Sequence, residues 1–240
     1  MFEEHDSFNV PKGNIRLWRY MDLSKFLYLL SGELFFTRMD KFEDNFESTY
    51  PTFNKKIREL RYTPMLKDNI LLRNLNSDFE LASQNLKRTS YACCWHMNNF
   101  ESAAMWKLYL SSNEGIAIQT NINKLISSLR SEDKRIYIGE VNYIDYENQY
   151  LPEDNLLNLL LYKRKSFDYE RELRCIYTDF LEKKDDVPGK DIKIDLNELI
   201  EKVYIAPYAP KYFKTVIEDV IYKYGYDFEV IQSDMYNDLH

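Results

Sequence analysis

The segment SFDYERELRCIY, residues 166–177, contains two glutamates that could act together. Glu170 and Glu172 are two positions apart, Arg171 and Arg174 flank them, and a strand-like apolar run follows. Because alternate residues of a strand point to the same face, we expect both carboxylates on one surface and Arg171 on the other. Such a pair is either a reaction centre or a solvated edge of charges paired across strands, each pair worth about 0.2–1 kcal/mol.

Basic residues stand close to this pair and near the start of the chain. Lys163, Arg164 and Lys165 immediately precede the acidic pair; they could receive a phosphate or nucleic acid, or form a helix C-terminus whose charge suits its dipole. Arg19 lies next to Tyr20 in the apolar stretch LWRY. A guanidinium matches phosphate bidentately, although a salt bridge to a nearby carboxylate would equally explain a buried arginine.

Aromatic and polar candidates cluster between residues 95 and 109. Trp95 and His96 follow an apolar run, and His96 could be a general base or a satisfied structural histidine. In ESAAMWKLY, Trp106 and Tyr109 share a helix face that could stack a planar ring or pack into the core. Glu101 opens this helix, where Ser, Thr, Asp or Asn is the usual cap, so we place it in a pocket.

A polar loop, TRMDKFEDNFE, offers oxygen ligands. Asp40, Asp44 and Glu47 could hold a divalent cation, or the loop could simply cap its neighbours. Its spacing matches no metal loop, and the cysteines and histidines lack zinc spacing. We therefore predict no metal site.

Composition indicates a globular protein. The 240 residues are 45% hydrophobic and 15% aromatic, and the net charge of −7 supplies no global field for nucleic acid. Three cysteines without framework spacing favour a reducing compartment. The acidic opening segment lacks the apolar core of a signal peptide, so we predict a cytoplasmic protein without membrane association.

Strand and helix patterns alternate along the chain. Asp22 should cap the first helix, Gly32 should end it, and Asn121 should cap a later one. We predict strands in IRLWRY, ELFFTR, TSYACCWH, GIAIQT, RIYIGEVNYI, ERELRCIYTD, IKIDL, VYIAP and DFEVIQS, and helices in LSKFLYLLS, residues 55–88, ESAAMWKLYLS, INKLISSLR, EDNLLNLLLYKRKS and PKYFKTVIEDVIYKYG.

These elements predict the fold class α+β, with a mixed, mostly antiparallel sheet and packed helices. TSYACCWH should be a central strand, because it is apolar on both faces, and ERELRCIYTD should pair with IKIDL. We expect a single domain, residues 1–240, with residues 55–88 as a helical insertion or cap that breaks near Thr63 and Pro64.

Four ordered blocks resemble the bacterial family called domain of unknown function 2971: LWRYMDLSKFLYLLSGELFFTRMDKFEDNFE, CWHMNNFESAAMWKLYLSSNEGIAIQT, KRKSFDYERELRCIY and VYIAPYAP. The resemblance spans nearly the whole chain. Members of the family resemble accessory genes of bacterial defence, which implies an effector or toxin.

The opening strand, helix and strand also resemble ADP-ribosyltransferases and RNA 2′-phosphotransferases. That resemblance implies an ADP-ribosyltransferase-like fold with Arg19 at the NAD phosphates. It implies Glu172 as the catalytic carboxylate, which stabilises an oxocarbenium-like charge as nicotinamide leaves, and Glu170 as base or acceptor-orienting residue. The middle serine motif of such enzymes is absent, and SYACCWH occupies its place.

Three functions follow as hypotheses. The first is a mono-ADP-ribosyltransferase-like effector or toxin that uses NAD to modify a protein or nucleic acid, with an antitoxin or defence partner. The second is a metal-dependent nuclease or nucleic-acid binder. The third is a non-catalytic sensor or partner-binding module. For the first, we predict catalytic residues Glu172, Glu170 and His96, and substrate or cofactor contacts from Arg19, Tyr20, Trp95, Glu101, Trp106, Tyr109, Lys165 and Arg174.

Overall fold

The computed structural model describes residues 1–64, 69–110, 113–130, 133–180 and 187–236. Its strands are β1 (Arg16–Asp22), β2 (Glu33–Arg38), β3 (Ser90–Met97), β4 (Gly115–Asn121), β5 (Tyr137–Glu140), β6 (Asn142–Ile144), β7 (Tyr162–Arg164), β8 (Glu172–Thr178), β9 (Gly189–Lys193), β10 (Lys202–Ile205) and β11 (Val230–Gln232). Its α-helices are α1 (Leu23–Leu29), α2 (Thr52–Tyr62), α3 (Asn69–Thr89), α4 (Ala103–Tyr109), α5 (Ile122–Ser128), α6 (Leu196–Leu199) and α7 (Lys211–Lys223).

Within these residues, nine strands form one mixed, mostly antiparallel sheet, and several helices pack on it. The strand order is β11-β10-β4-β1-β3-β2-β9, with β8 paired to β3 and β5 paired to β8. In the described part of the chain, β10 and β11 are the one parallel pair within this sheet, and β6 and β7 form a separate parallel pair. The prediction of an α+β chain with a mostly antiparallel sheet is confirmed.

Strand β3 is central, as its apolar pattern predicted, and it has three partners. Strand β8 pairs along its whole length, from Ser90 to His96. The opposite side of β3 is divided, because β1 pairs only with His96 and Met97 and β2 only with Ala92 and Tyr91. The sheet therefore forks at the middle of β3.

Local sequence signals fix several helix ends as expected. The Asp22 carboxylate accepts the backbone N–H of Lys25 at 2.9 Å, and the Asn121 side chain accepts that of Lys124 at 3.1 Å. Gly32, with φ of 85°, provides the left-handed turn after α1. These capping predictions are confirmed.

The predicted helix EDNLLNLLLYKRKS is wrong. Residues 156–161 form a short 3-10 turn, residues 162–164 form β7, and residues 165–170 form a second 3-10 turn. Leu159, Leu160 and Leu161 are all buried. Three consecutive buried side chains require burial on every side, so this segment packs as an irregular chain and not as an amphipathic helix.

The predicted pairing of ERELRCIYTD with IKIDL is also wrong. Strand β8 lies between β3 and β5, whereas β9 pairs with β2 at the edge of the sheet. Part of the proposed connecting turn, residues 181–186, lies outside the described residues. RIYIGEVNYI, predicted as one strand, is divided into β5 and β6, which belong to different sheets.

The two faces of the sheet differ in what covers them. The face that carries Leu17, Trp95 and Leu173, here called the core face, packs against α1, α5, α6 and α7 in the largest apolar cluster. The face that carries Trp18, His96 and Glu172, here called the cluster face, has two smaller apolar clusters. One of these includes α4, and the other includes residues 159–161 and α3. Charged side chains lie between these two clusters.

Candidate active site

A buried lysine gathers the acidic pair on the cluster face. Lys163, on β7, lies with its Nζ 2.8 Å from an Oε atom of Glu172 and donates a hydrogen bond to Glu170. A third carboxylate, Glu47, is 3.7 Å from the same nitrogen. All four side chains are buried. One ammonium group therefore holds three carboxylates near one point.

A second cation, Arg174, completes this charged cluster. Its Nε lies 2.8 Å from Glu172, its terminal nitrogens bind Glu47 and the carbonyl of Leu160, and the residue is 0% exposed. Arg174 was predicted to contact substrate. In the structure Arg174 is buried, and its bonds lie inside the cluster, where they orient the side chains of Glu172 and Glu47.

The two glutamates converge through a turn and not through a shared strand. Glu170 ends a 3-10 turn, Arg171 adopts a left-handed conformation with φ of 43°, and β8 begins at Glu172. The expected same-face strand geometry is therefore wrong, although the carboxylates do meet at Lys163. A non-glycine residue in this backbone region costs about 1–2 kcal/mol, so the surrounding contacts must hold the turn.

Two of those contacts come from neighbouring elements. The carbonyl of Arg171 accepts the backbone N–H of Met97 at 2.9 Å, which joins the turn to β3. The backbone N–H of Glu172 donates to the hydroxyl of Tyr143 at 2.9 Å. Burial and the charge of Glu172 raise the pKa of Tyr143, so this hydroxyl stays protonated.

Electrostatics separate the protonation states of the two glutamates. Burial, then the hydrogen bond and repulsion from Glu172, raise the pKa of Glu170 to about 8. Burial opposes the ionisation of Glu172 too. Three effects outweigh burial and lower the pKa of Glu172: the charge of Arg174, a hydrogen bond from Glu170, and the charge and hydrogen bond of Lys163. At neutral pH Glu170 is therefore mostly a neutral acid beside a carboxylate, an arrangement that assigns different chemical roles to the two groups.

His96 supports the turn from β3. Its Nδ1 lies 2.6 Å from the carbonyl oxygen of Glu170, which can only accept, so Nδ1 carries the proton and donates. Burial lowers the pKa of His96, against the effect of this hydrogen bond, and Arg171 lowers it further. The neutral ring leaves Nε2 as an acceptor, 3.4 Å from the Nδ2 of Asn98.

Two partly exposed side chains, Cys94 and Tyr109, lie on the solvent-facing side of the cluster. Cys94, on the same face of β3 as His96, is half-buried although it lies on the central strand. Burial and then the charge of Glu172 raise the pKa of Cys94 well above its ordinary value. Tyr109, at the end of α4, is 46% exposed, and its pKa is raised by desolvation, then by Cys94 and the two glutamates. We call the surface that these two side chains border the crevice.

Exposed cations stand beside the acidic pair. Lys165 begins the 3-10 turn that ends at Glu170, and Arg171 separates the two glutamates. Both side chains are exposed. Lys165 was predicted as a contact for substrate; Arg171 was expected only to face away from the pair.

The expected convergence of Arg19 with Glu172 is wrong. Trp18 pairs with His96, and His96 pairs with Glu172, so these three share the cluster face. Arg19 is the next residue along β1 and projects from the core face. There it lies 5.9 Å from the ring centroid of Trp95, which is buried in the same apolar cluster and does not line the crevice.

Arg19 has a structural partner at the fork of the sheet. Its Nη1 donates to the carbonyl of Cys94 at 2.8 Å. Cys94 lies between the residues of β3 that pair with β1 and those that pair with β2. A carbonyl at this gap lacks a strand partner on that side, and the guanidinium supplies the missing donor.

Tyr20, Glu101 and Trp106, predicted as substrate contacts, hold α4 against the sheet. The Tyr20 hydroxyl accepts the backbone N–H of Ser102 at 2.8 Å, and the Trp106 indole donates to Glu101 at 2.9 Å. The N-cap of α4 is Ser102, so Glu101 precedes the helix and does not open it. Trp106 is buried and packs at a ring distance of 4.8 Å from Tyr20.

The residues of the nuclease hypothesis are engaged by arginines. Asp40 lies 2.6 Å from Arg38, and Asp44 lies 2.8 Å from Arg164. Among the described residues, no group of three or more His, Cys, Asp or Glu side chains is arranged to hold a metal ion. In the same part of the chain, no helix has both the length and the apolar character needed to cross a membrane.

Sequence reasoning did not identify Lys163 as the centre of the cluster, nor Glu47 and Tyr143 as its neighbours. Lys163 appeared only as part of a basic run, yet it follows four apolar residues in LLLYK and lies in a buried segment. A lysine that ends an apolar run is a usable signal for a buried cation. Glu47 and Tyr143 belong to separate loops and strands, and no local pattern connects them to residue 172.

The described residues also line two cavities away from the charged cluster. One, of about 280 Å³, lies beside Met39, Asp40 and Lys87. The other, of about 210 Å³, lies beside Trp106, Tyr208 and Tyr236. Neither is lined by Glu170 or Glu172.

Comparison of the chain with known protein families gave no match, and comparisons with curated proteins and with solved structures gave none either. The two family resemblances of the sequence therefore stay predictions.

Proposed function

We propose that this protein is a mono-ADP-ribosyltransferase-like enzyme that cleaves the N-glycosidic bond of NAD at Glu170 and Glu172. One observation carries the proposal: two buried carboxylates share Lys163, and their pKa values are shifted in opposite directions. Paired carboxylates with separated pKa values are typical of enzymes whose transition state is an oxocarbenium ion.

In this scheme the bond between ribose C1′ and the nicotinamide nitrogen breaks, and nicotinamide leaves as a neutral molecule with the bonding electron pair. The positive charge that develops on the ribose lies against the ionised carboxylate of Glu172. Lys163 and Arg174 keep Glu172 ionised and fix its orientation. A nucleophilic group of the acceptor then bonds to C1′.

The proton of that acceptor passes to the ionised form of Glu170. A base with a pKa of about 8 is matched to this task near physiological pH. Activity should therefore rise with pH through about pH 8, where Glu170 is half ionised, and level off above it. His96 acts as a positioning residue, because its proton is committed to the carbonyl of Glu170.

Arg19 has no part in this scheme. The exposed cations Lys165 and Arg171 flank the glutamates and supply charge for the NAD pyrophosphate in its place. The acceptor is a macromolecule, protein or nucleic acid. A role as an effector or toxin of bacterial defence, with an antitoxin or defence partner, is supported by the resemblance of the sequence blocks.

Release of nicotinamide from labelled NAD tests the proposal, with water or a bacterial lysate as acceptor. Glu170→Gln should reduce release at least about 100-fold. At neutral pH Glu170 is mostly uncharged, so glutamine should preserve the fold. Glu172→Gln should abolish release as well, and Glu218→Gln, which removes an exposed carboxylate on α7, should leave it unchanged. No release by the wild type, or equal release by folded Glu170→Gln protein, would refute the proposed chemistry.

A further inference from the structure

The cavity beside α4 has the chemistry of a site for a flat ring. It is lined by Trp106, Lys107, Leu110, Asn113, Ala206, Pro207, Tyr208 and Tyr236 and has a volume of about 210 Å³. We call it the tyrosine pocket. Trp106, Leu110 and Ala206 belong to the apolar cluster under α4, so its floor is apolar and preformed.

Two exposed tyrosines form one side of the tyrosine pocket. The rings of Tyr208 and Tyr236 are stacked, with centroids 4.8 Å apart and planes inclined by 10°. The residues are 61% and 42% exposed, so aromatic surface faces solvent although it is already ordered. A pre-ordered aromatic pair accepts a planar ring with little loss of conformational entropy.

Polar groups at the rim of the tyrosine pocket select the kind of ring. Asn113 is exposed there and carries an amide, which can donate to and accept from the edge of an adenine. Lys107 is exposed on α4 and can meet a phosphate attached to the same ligand. An aromatic stack, an amide and an ammonium group together match an adenine nucleotide.

The tyrosine pocket is also connected to the charged cluster. Trp106 packs on Tyr20, and Tyr20 lies 6.4 Å from the ring of His96. Tyr109, which borders the crevice, follows Trp106 by three residues, which is less than one turn of α4. Helix α4 therefore lies between the tyrosine pocket and the charged cluster, with the rings of Trp106 and Tyr20 between them.

We propose that the tyrosine pocket binds the adenine ring of a nucleotide substrate. This inference rests on the proposed function, because it places the adenine end of NAD in the tyrosine pocket and the nicotinamide end in the crevice. Adenine stacks on Tyr208, Asn113 pairs with its edge, and Lys107 meets the phosphate nearest the adenosine.

Binding of AMP, measured by calorimetry without any turnover, tests this proposal. AMP should bind more tightly than ribose 5-phosphate, which lacks the ring. Tyr208→Ala should weaken AMP binding at least about tenfold, since stacking on an aromatic side chain is lost. Lys107→Ala should weaken AMP binding but leave adenosine binding unchanged. Tyr222→Ala is the matched control, because Tyr222 is 81% exposed on α7 and does not line the tyrosine pocket.

Equal binding of AMP and ribose 5-phosphate, or full AMP affinity in Tyr208→Ala, would overturn the proposal. Tyr208 is largely exposed, so its replacement should not unfold the protein.

The two proposals fail separately. AMP binding that depends on Tyr208, without any nicotinamide release, would support the tyrosine pocket and reject the chemistry of Glu170 and Glu172. Nicotinamide release that is unaffected by Tyr208→Ala would support the chemistry of Glu170 and Glu172 and reject the tyrosine pocket as the adenine site.

Discussion

The proton held by Glu170 should make the stability of the protein depend on pH in a defined window. Its pKa is raised from an ordinary value of 4.5 to about 8, first by burial and then by Glu172. Between these values the folded protein holds a proton that the unfolded chain has released. The free energy of unfolding should therefore fall as pH rises, by about 1.4 kcal/mol per pH unit.

His96 acts with the opposite sign over part of this range. Burial lowers its pKa from 6.5, so below that pH the unfolded chain binds the extra proton and stability rises with pH. At pH 6.5 half of the unfolded chains still carry a protonated His96, and its opposing slope fades only at about pH 7.5. Between pH 6.5 and 8 the loss of stability through Glu170 exceeds the gain through His96, and the net loss should be about 1 kcal/mol.

The other groups around Glu170 keep one charge state in this window. Lys163 and Arg174 have raised pKa values because of Glu172, against the effect of their burial, and remain cations. Glu172 has a lowered pKa and remains ionised. Tyr109 has a pKa raised by desolvation and remains neutral. These four groups therefore leave the slope that Glu170 produces unchanged.

Urea unfolding followed by tryptophan fluorescence, at the ends and the middle of this window, measures the effect. The wild type should lose about 1 kcal/mol, and Glu170→Gln should show no loss, because glutamine does not titrate. Glu218→Gln should keep the wild-type slope. A flat wild-type profile, or an unchanged slope in Glu170→Gln, would refute the assignment of a neutral Glu170.

Three further predictions concern the surroundings of the cluster. Glu172→Gln should lower the free energy of unfolding at neutral pH by about 3–5 kcal/mol, because two buried cations lose their shared partner. Urea titrations measure this loss. A loss below about 1 kcal/mol would contradict the buried ion pairs. Arg19→Ala should lower the free energy of unfolding by about 1–3 kcal/mol, because the carbonyl of Cys94 loses its hydrogen-bond donor. Nicotinamide release per folded molecule should not change. A tenfold fall in release would contradict the place of Arg19 on the core face. Iodoacetamide should label Cys94 before the two buried cysteines, as peptide mass spectrometry can show. Labelling of Cys94 should be rapid only above the ordinary thiol pKa of 9.0, because the pKa of Cys94 is raised. Preferential labelling of a buried cysteine would contradict the exposure of Cys94 at the crevice.

Features set by neighbouring residues could be predicted from the sequence. Asp22 and Asn121 cap their helices through bonds that span three residues. In α7, Phe213, Ile217 and Ile221 are buried at intervals of four, as an amphipathic helix requires. Each signal and its cause lie within one turn of helix, so no knowledge of the rest of the fold is needed.

Features set by distant contacts could not be predicted. The sequence predicted that the carboxyl groups of Glu170 and Glu172 lie together on one face of a strand. They do lie together, but a turn at Arg171 brings them there and not a shared strand. The face occupied by Arg19 depends on the register between β1 and β3, which are about 75 residues apart in the chain. A shift of that register by one residue would reverse the face, and nothing in LWRY encodes it.

The forked position of β3 has a consequence for how the protein folds during synthesis. Strand β3 is complete once residue 97 has been made, but its long partner β8 extends to residue 178. Until then, one edge of an apolar strand stays open, and unpaired edges of this kind readily join other chains. The nascent protein should therefore aggregate unless a chaperone protects it, and refolding of the full chain should be slow because its central pairings join distant segments.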